Sequence, residues 1–277
     1  MWPPLPATAK LRHMPSAPRH LLNSESIELW PAHLLRARGN HDARILAQAD
    51  WLLRRKRDGR YLGARLPSGL MPLVTRFWRE PGVDAALGAL AEHEAQPQRQ
   101  PAAQPLRGLQ ERLAQLGLDA DDYSARTGLA LVAEPSRLAL AGRDRYGRAL
   151  WLTTAAGRQW QRMRAAAAVD GVAMDAISGY RSHDYQLGIF ERKFARGQTL
   201  AQVLEVNAAP GYSEHHGGQA LDIGAPGEPP AEEAFERTPA FAWLRQHAGR
   251  FGFQMSYPRD NPHGIVYEPW HWRYQAP

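Results

Sequence analysis

The chain has 277 residues, no cysteine, 44% hydrophobic residues and a formal net charge of +6. This length allows one large or two small domains with a buried core, and the lack of cysteine excludes disulfides and thiolate metal sites. No apolar run approaches the ~18 residues of a membrane span, and the whole positive excess lies in residues 1–100, which hold 15 Lys and Arg against 9 Asp and Glu.

Prolines and basic residues interrupt the start of the chain, and we expect residues 1–25 to be a disordered tail. A secretory signal needs a continuous apolar core of ~7–15 residues, which this stretch lacks. The sequence as given therefore predicts a cytoplasmic protein, or a periplasmic one if a signal lies outside this sequence.

Residues 26–92, which follow the predicted tail, contain both helical patterns and residues that interrupt helices. Apolar residues recur at helical spacing in residues 41–57, and a second helical pattern covers residues 83–92. We therefore expect residues 26–92 to form a mainly helical accessory region of unknown role. Glycines and prolines interrupt the part between the two patterns.

A dense basic run, Arg54-Arg55-Lys56-Arg57, lies at the end of the first helical pattern. We expect it to be the solvated end of a helix, as most charge runs are. Binding to an anionic wall polymer, a membrane surface or nucleic acid is the alternative. Because no aromatic residues interleave with the run and no known nucleic-acid module accompanies it, no nucleic-acid partner is expected.

Pro and Gln dominate residues 93–105, which we interpret as a linker. Helical and strand patterns alternate after it without βαβ regularity, which predicts an α+β domain over residues 106–277, with a small antiparallel sheet flanked by helices. All candidate site residues lie after the linker, so we expect this domain to fold and act alone. The predicted elements are a helix from 106 to 116, a hairpin over 137–152, helices over 154–170 and from 183 and 239, and strands over 172–177, 253–257 and 265–268.

Two motifs carry ligand types that a hydrolytic zinc ion uses. The first is Ser213-Glu214-His215-His216-Gly217-Gly218-Gln219-Ala220-Leu221-Asp222, and the second is Glu268-Pro269-Trp270-His271. A catalytic zinc keeps three protein ligands and one open position. We predict that His215, Asp222 and His271 are those ligands and that Glu268 is a general base. Two glycines allow a sharp turn before a short buried strand that carries Asp222.

A third motif, Ser178-Gly179-Tyr180-Arg181-Ser182 followed by Gln186, completes a pattern that resembles the zinc D-alanyl-D-alanine peptidases. This LAS-type group contains the D,D- and L,D-carboxypeptidases, among them the vancomycin-resistance enzymes, and is remotely related to the hedgehog signalling domain. The resemblance covers roughly residues 130–274. It implies a hedgehog-like fold with one zinc ion per chain.

The resemblance also implies roles for residues around the metal. Arg181 is expected to stabilise the oxyanion or to clamp the terminal carboxylate of the substrate. Ser213 and Gln186 are expected to hold substrate carboxylate or amide groups, and Tyr212 and Trp270 are further candidates for substrate binding. Among the other histidines, we expect His216 to point away from the metal and His183, His247 and His263 to face solvent.

The function that this resemblance implies is removal of the C-terminal D-alanine from peptidoglycan peptides. One alternative is an L,D-carboxypeptidase that trims muropeptide tetrapeptides, since the motifs do not separate the two activities. The other is a non-catalytic, zinc-stabilised binding module. The presence of both Glu268 and Arg181 favours an enzyme over such a module.

Overall fold

The computed structural model describes residues 19–37 and 39–276, so most of the predicted tail lies outside the described residues. The end of that tail, His20–Asn23, is a β-strand rather than disordered chain. Strands in the described part form two antiparallel sheets. None of the described helices is long and apolar enough to cross a bilayer.

The strands are β1 (His20–Asn23), β2 (Ile27–Pro31), β3 (Trp51–Arg55), β4 (Tyr61–Leu66), β5 (Gly69–Pro72), β6 (Arg137–Arg143), β7 (Ala149–Leu152), β8 (Asp175–Ser178), β9 (Ala220–Gly224), β10 (Phe253–Met255) and β11 (His271–Tyr274). The helices are α1 (Asn40–Leu46), α2 (Val83–Ala95), α3 (Leu109–Gln115), α4 (Ala120–Thr127), α5 (Thr154–Val169), α6 (His183–Phe194), α7 (Leu200–Glu205) and α8 (Pro239–His247).

The smaller sheet has the strand order β10-β11-β9-β8 and lies at the centre of the predicted peptidase part. Helices α5 and α8 supply Trp160, Met163, Phe241 and Leu244 to one buried cluster with Trp272 of β11. Because these apolar residues recur every three or four positions, each helix presents one face to the sheet. The prediction of an α+β fold with a small antiparallel sheet flanked by helices is confirmed.

The larger sheet has seven strands in the order β5-β4-β3-β2-β1-β6-β7, and five of them, β1 to β5, come from residues 20–72. The expected mainly helical accessory region is therefore wrong in its secondary structure. Leu52 and Leu53 fit the predicted helical pattern, but they and Trp51 are buried in β3, where Leu52 packs on one side and its two neighbours on the other. A short apolar run is ambiguous between the two structures, and pairing with β2 and β4 decides for a strand.

The basic run is part of β3 and the turn after it, not a solvated helix end. Each of its first three residues has an acidic partner: Arg54 pairs with Glu28 at 2.8 Å, Arg55 with Asp58 and Glu80 at 2.5 and 2.6 Å, and Lys56 with Glu134 at 2.5 Å. Internal ion pairs thus neutralise much of the local positive charge. This arrangement gives no support to binding of an anionic polymer through these three side chains.

The predicted linker does not separate two independent sheets. β1 pairs with β6, with His20 opposite Ala139, so the larger sheet continues from one side of the linker to the other. The predicted linker is itself hydrogen-bonded to the peptidase part, because the backbone N–H of Gln104 donates to the carbonyl of Glu134 at 2.7 Å. These contacts argue against an independent fold for residues 106–277, although the boundary itself stays a prediction.

A fragment that starts at Leu106 is expected to unfold at a lower temperature than the full chain, or not to fold. It lacks β1, which is one of the two strands paired with β6, and it lacks the Lys56 ammonium that pairs with Glu134. Thermal unfolding followed by circular dichroism checks this, with a fragment starting at Arg19 as the control that keeps the described contacts. Equal melting temperatures for the Leu106 fragment and the full chain would contradict the expectation.

Candidate active site

The structure brings the three predicted metal ligands together on adjacent elements of the smaller sheet. Asp222 on β9 and His271 on β11 are directly opposite in the strand register, so their side chains lie on the same face. His271 Nδ1 is 3.1 Å from Asp222 Oδ1, and His215 Nε2 is 3.3 Å from the same oxygen. The ligand atoms of these three buried residues all lie within 4.8 Å of one another.

His215 reaches this face from a short 3₁₀ turn, Glu214–Gly217, just before β9. Gly218 ends the turn with φ +65, a left-handed conformation that glycine adopts without strain. A Cβ atom at this position would also lie 2.4 Å from Leu138 Cδ2. The glycine is thus required both by the backbone conformation and by close packing, in agreement with the predicted sharp turn before a buried strand.

Second hydrogen bonds fix the orientation of both imidazoles. His215 Nδ1 lies 2.7 Å from the carbonyl of Gly179, and His271 Nε2 lies 2.9 Å from Glu214 Oε2. Since a carbonyl and a carboxylate only accept, those two nitrogens carry the protons and donate. This pattern of a metal-binding histidine held by an acceptor on its other nitrogen is common in metal sites. It leaves His215 Nε2 and His271 Nδ1 directed at Asp222.

The donor set fits a divalent metal ion. His215 Nε2 is a buried nitrogen without a hydrogen-bond partner, which is costly unless a ligand satisfies it. Two imidazole nitrogens and one carboxylate oxygen are a usual ligand set for catalytic zinc. The described residues therefore contain a possible His/Asp metal site, and the three residues are the ones predicted from the two motifs.

The electrostatics of the site also suit a cation. Burial, with Arg181 nearby, lowers the pKa of His215 to about 4, so its imidazole is neutral, as a metal ligand must be. Burial opposes ionisation of Asp222, but His215 and His271 outweigh it and hold its pKa well below the usual range. Burial also opposes charge on His271, but hydrogen bonds to Asp222 and Glu214 raise its pKa to about 10. The two carboxylates thus favour positive charge at this point.

Glu268 lies beside the ligand cluster without belonging to it. Its Oε2 atom is 3.8 Å from His271 Nδ1, and its side chain is 12% exposed. Burial is the main cause that raises the pKa of Glu268 to about 7, and the Asp222 carboxylate adds to it. A carboxylate that exchanges its proton near neutral pH is suited to general acid–base chemistry.

Arg181 approaches the cluster from the loop after β8. Its Nη2 atom is 3.6 Å from Asp222 Oδ2, while its Nε atom is buried without a hydrogen-bond partner. Its backbone is held on both sides: the carbonyl accepts from His216 Nδ1 at 2.7 Å, and the N–H donates to the carbonyl of His215 at 3.4 Å. His216 therefore lies behind the metal ligands, as expected, and supports the loop.

The expectation of a solvent-facing His183 is wrong. Its side chain is buried, its ring lies 4.3 Å from the ring of His216, and its Nε2 atom is 2.9 Å from the carbonyl of Val132. The position directly after the helix cap Ser182 resembles an exposed first turn in sequence. Packing of residues 132–134 over this turn covers it instead.

A small cleft opens beside His215 and His271. Ser213 and Gln186, which the resemblance implies would hold substrate groups, both line this cleft. Gln186 Nε2 donates to the carbonyl of Ala208 at 2.9 Å, which leaves its buried Oε1 atom without a partner. An oriented, unsatisfied amide oxygen at the wall of a cleft is able to accept a hydrogen bond from a substrate N–H. The cleft is lined by Arg181, Gln186, Val206, Asn207, Ala208, Ser213, His215, Tyr257, Ile265, Glu268 and His271.

Tyr212 and Trp270 are not among the residues that line this cleft. The Tyr212 ring packs against Tyr123 at 4.8 Å, and its hydroxyl donates to the carbonyl of Ala120 at 2.8 Å. Trp270 packs against the main core beneath the smaller sheet. Both are next to site residues in sequence, but each lies in a turn that directs its side chain into an apolar cluster and not into the cleft.

Tyr257 is a cleft residue that the motifs did not reveal. Its ring lies 4.9 Å from the ring of His271, and burial, with the nearby Glu214 and Glu268 carboxylates, raises the pKa of its hydroxyl. Its alternation with Phe253 and Met255 predicted only a strand, and the observed strand β10 ends at Met255. Asn207, Val206 and Ile265 also line the cleft, and no motif includes them. The strand predicted over 265–268 is wrong, because this stretch is not a strand in the structure.

Comparison with known proteins gives a consistent result. Residues 149–277 match the family model described as VanY, D-alanyl-D-alanine carboxypeptidase. The chain is 40% identical over 114 residues to the putative carboxypeptidase YodJ of Bacillus subtilis, which covers 39% of this chain and 41% of that protein. It is 30% identical over 146 residues to the bifunctional D-Ala-D-Ala dipeptidase and D-Ala-D-Ala carboxypeptidase VanXYC of Enterococcus gallinarum, which covers 51% of this chain and 75% of that protein.

Two solved structures are also similar over part of the chain. VanYB in complex with D-alanine-D-alanine is 31% identical, with a TM-score of 0.41, over 49% of this chain and 76% of that chain. The LdcB LD-carboxypeptidase is 34% identical, with a TM-score of 0.42, over 45% of this chain and 59% of that chain. The chain thus spans about two fifths of YodJ but three quarters of VanXYC. On the identity to VanXYC over that share of its length, this chain belongs to the family of D-alanyl-D-alanine carboxypeptidases.

Proposed function

We propose that this protein is a zinc-dependent carboxypeptidase that removes the C-terminal D-alanine from peptidoglycan peptides. The observation that carries the proposal is a cleft where His215 and His271 lie beside an arginine and a carboxylic acid with a raised pKa. The ligand atoms of these two histidines and of Asp222 all lie within 4.8 Å of one another. A non-catalytic binding module needs a metal site but has no use for Glu268 in this position. Family membership supports the same reaction class.

His215, Asp222 and His271 would hold the zinc ion, with Glu214 and the Gly179 carbonyl orienting the two histidines. When bound, zinc supplies a Lewis acid that polarises the scissile carbonyl and acidifies a water molecule. Glu268 takes a proton from the attacking water and later donates it to the leaving amine. A pKa near neutrality suits both transfers, because the group must accept and release a proton in one cycle.

Arg181 would bind the free carboxylate of the terminal residue. A guanidinium makes paired, charge-assisted hydrogen bonds to a carboxylate, and this geometry selects a chain end over an internal bond. The small cleft agrees with a substrate that enters by its end. Ser213 and Gln186 lie on the walls of the same cleft and would hold amide or carboxylate groups of the peptide.

The Arg181→Lys variant is expected to lose most of the preference for a free C-terminal carboxylate over a C-terminal amide. Lysine keeps the charge but not the planar fork that binds both carboxylate oxygens. The measurement is kcat/KM for an acyl-D-Ala-D-Ala peptide and for its amide, in the native protein and the variant. If both substrates slow equally, Arg181 serves the oxyanion instead, and an unchanged rate would exclude both roles.

Incubation of the zinc-loaded protein with purified muropeptides, followed by mass spectrometry, tests the proposed function. We expect pentapeptides that end in D-Ala-D-Ala to lose one alanine. Tetrapeptides in the same mixture serve as the internal comparison, since loss of alanine from these alone would indicate an L,D-carboxypeptidase. Absence of any alanine release by the zinc-loaded protein would contradict the proposal.

A further inference from the structure

A buried ion pair joins the larger sheet to the peptidase part. Lys56 Nζ lies 2.5 Å from Glu134 Oε2, and the two side chains are only 1% and 5% exposed. The ammonium also donates to the carbonyl of Ser24 at 2.5 Å. A buried ion pair is stable only when further hydrogen bonds satisfy it. Both residues lie outside the range that matches the family model, so this pair is a feature of the chain beyond that range.

Glu134 contacts the loop that carries Arg181 at two points. The hydroxyl of Tyr180 donates to Oε2 at 2.6 Å, and the backbone N–H of His183 donates to Oε1 at 2.7 Å. Tyr180 precedes Arg181 directly, and His183 follows it by two residues. One carboxylate therefore holds both ends of the short segment that presents the arginine.

The strand β1 strengthens the same contact. Asn23 Nδ2 lies 3.1 Å from Glu134 Oε2 and 2.9 Å from the Tyr180 hydroxyl. Burial alone would raise the pKa of Glu134, but Lys56 and His183 hold it at about 2, so the carboxylate stays ionised. Hydrogen bonds to an ionised acceptor are roughly twice as strong as neutral ones.

Arg181 has few contacts of its own that fix its direction. Its Nη2 atom is 3.6 Å from Asp222, beyond normal hydrogen-bond length, and its Nε atom has no partner. The direction in which the guanidinium points therefore depends on the backbone of the loop. His216 holds the carbonyl of Arg181 from one side, and the Glu134 contacts hold the adjacent residues from the other.

We propose that the larger sheet positions the substrate-binding arginine. Lys56 holds the Glu134 carboxylate, and this carboxylate holds Tyr180 and His183 on either side of Arg181 and so fixes the direction of the guanidinium. Lys56 is a positioning residue that touches neither the metal ligands nor the cleft. The role of Arg181 in this inference rests on the proposed function. Since a misplacement of ~1 Å can cost ~10²-fold in rate, a loosened loop is expected to weaken substrate recognition strongly.

The test compares Lys56→Met with Arg55→Met in the full chain. Arg55 is the matched control, because it lies in the same basic run and also loses ion pairs, to Asp58 and Glu80, that do not reach the loop. For Lys56→Met we expect a ~10-fold or larger loss of kcat/KM on the acyl-D-Ala-D-Ala peptide, mainly through KM. The preference over the amide should fall with it, whereas Arg55→Met should keep the native preference.

Hydrogen exchange measured by mass spectrometry provides a readout without activity. The amides of residues 180–183 should exchange at least ~10-fold faster in Lys56→Met than in Arg55→Met, since the His183 N–H loses a firmly held acceptor. Tyr180→Phe removes one hydroxyl contact to Glu134 and should show the same changes in weaker form, which keeps the test valid if Lys56→Met does not fold.

The outcomes separate the two proposals. Native protein that releases no alanine overturns the proposed function, and the exchange rates still decide whether Lys56 holds the loop. If the native protein is active, but Lys56→Met matches Arg55→Met in KM, in carboxylate preference and in exchange, the positioning proposal is wrong and the proposed function stands.

Discussion

Replacing Glu268 by Gln is expected to remove most turnover while leaving the metal site intact. The substitution keeps the size of the side chain but removes its ability to accept a proton from water. Loss of a general base lowers kcat by ~10²–10⁴-fold, and more where the same group also acts as the acid. Glu268 is not one of the three proposed ligands, so zinc binding should be unchanged. The measurements are kcat on an acyl-D-Ala-D-Ala peptide and zinc content.

Glu191→Gln is the matched control, because Glu191 is an exposed carboxylate on α6 away from the cleft. It should have native kcat and native zinc content. Near-native turnover by zinc-loaded Glu268→Gln would show that another group moves the proton. Loss of zinc from that variant would instead place Glu268 among the ligands.

Replacing His215 by Ala is expected to abolish both zinc binding and turnover. The described residues offer three ligand atoms within 4.8 Å of one another, and removal of one leaves two, too few for a tightly held catalytic zinc. The variant should fall from one zinc ion per chain to nearly none after dialysis. Atomic absorption on the dialysed protein measures this directly.

The exposed His41 provides the control for the ligand variant, since it belongs neither to the cleft lining nor to the possible metal group. It should keep one zinc ion and full activity. A dialysed His215→Ala protein that retains one zinc ion per chain would show that the ligand set has been misassigned.

The possible metal site could be predicted from sequence because its candidate ligands belong to two short motifs. His215 and Asp222 are seven residues apart, and a glycine turn followed by an apolar run is enough to predict their arrangement. His271 lies 49 residues beyond Asp222, and its place opposite Asp222 depends on the pairing of β9 with β11. The two motifs therefore predicted that His271 and Asp222 share a metal ion, but they did not predict the sheet register that places them opposite each other.

Within the site, the sequence did not predict the directions in which individual side chains point. Tyr212 and Trp270 were chosen because they adjoin site residues, yet both pack into apolar clusters. Tyr257 lines the cleft although no motif includes it. A sequence pattern identifies which residue types are adjacent along the chain, whereas the fold decides which of them face one another.

Outside the motifs, long-range pairing was decisive. The sequence of the Trp51-Leu52-Leu53 run is compatible with a helix as well as with a strand. Pairing with β2 on one edge and β4 on the other makes it a strand. Likewise, Lys56 and Glu134 are 78 residues apart, and no spacing rule links them. The predicted separation at residues 93–105 followed composition, while the pairing of β1 with β6 joins the two sides of that segment.

Zinc titration of metal-stripped protein tests the central claim most directly. The protein is depleted with a chelator, zinc is added back in fractions of an equivalent, and release of D-alanine from an acyl-D-Ala-D-Ala peptide is measured at each step. The account predicts no release without metal, a linear rise that ends at one zinc ion per chain, and almost none at any zinc level in Glu268→Gln. Release that is independent of zinc, or no release at one equivalent, would contradict the assignment of this cleft as a zinc carboxypeptidase site.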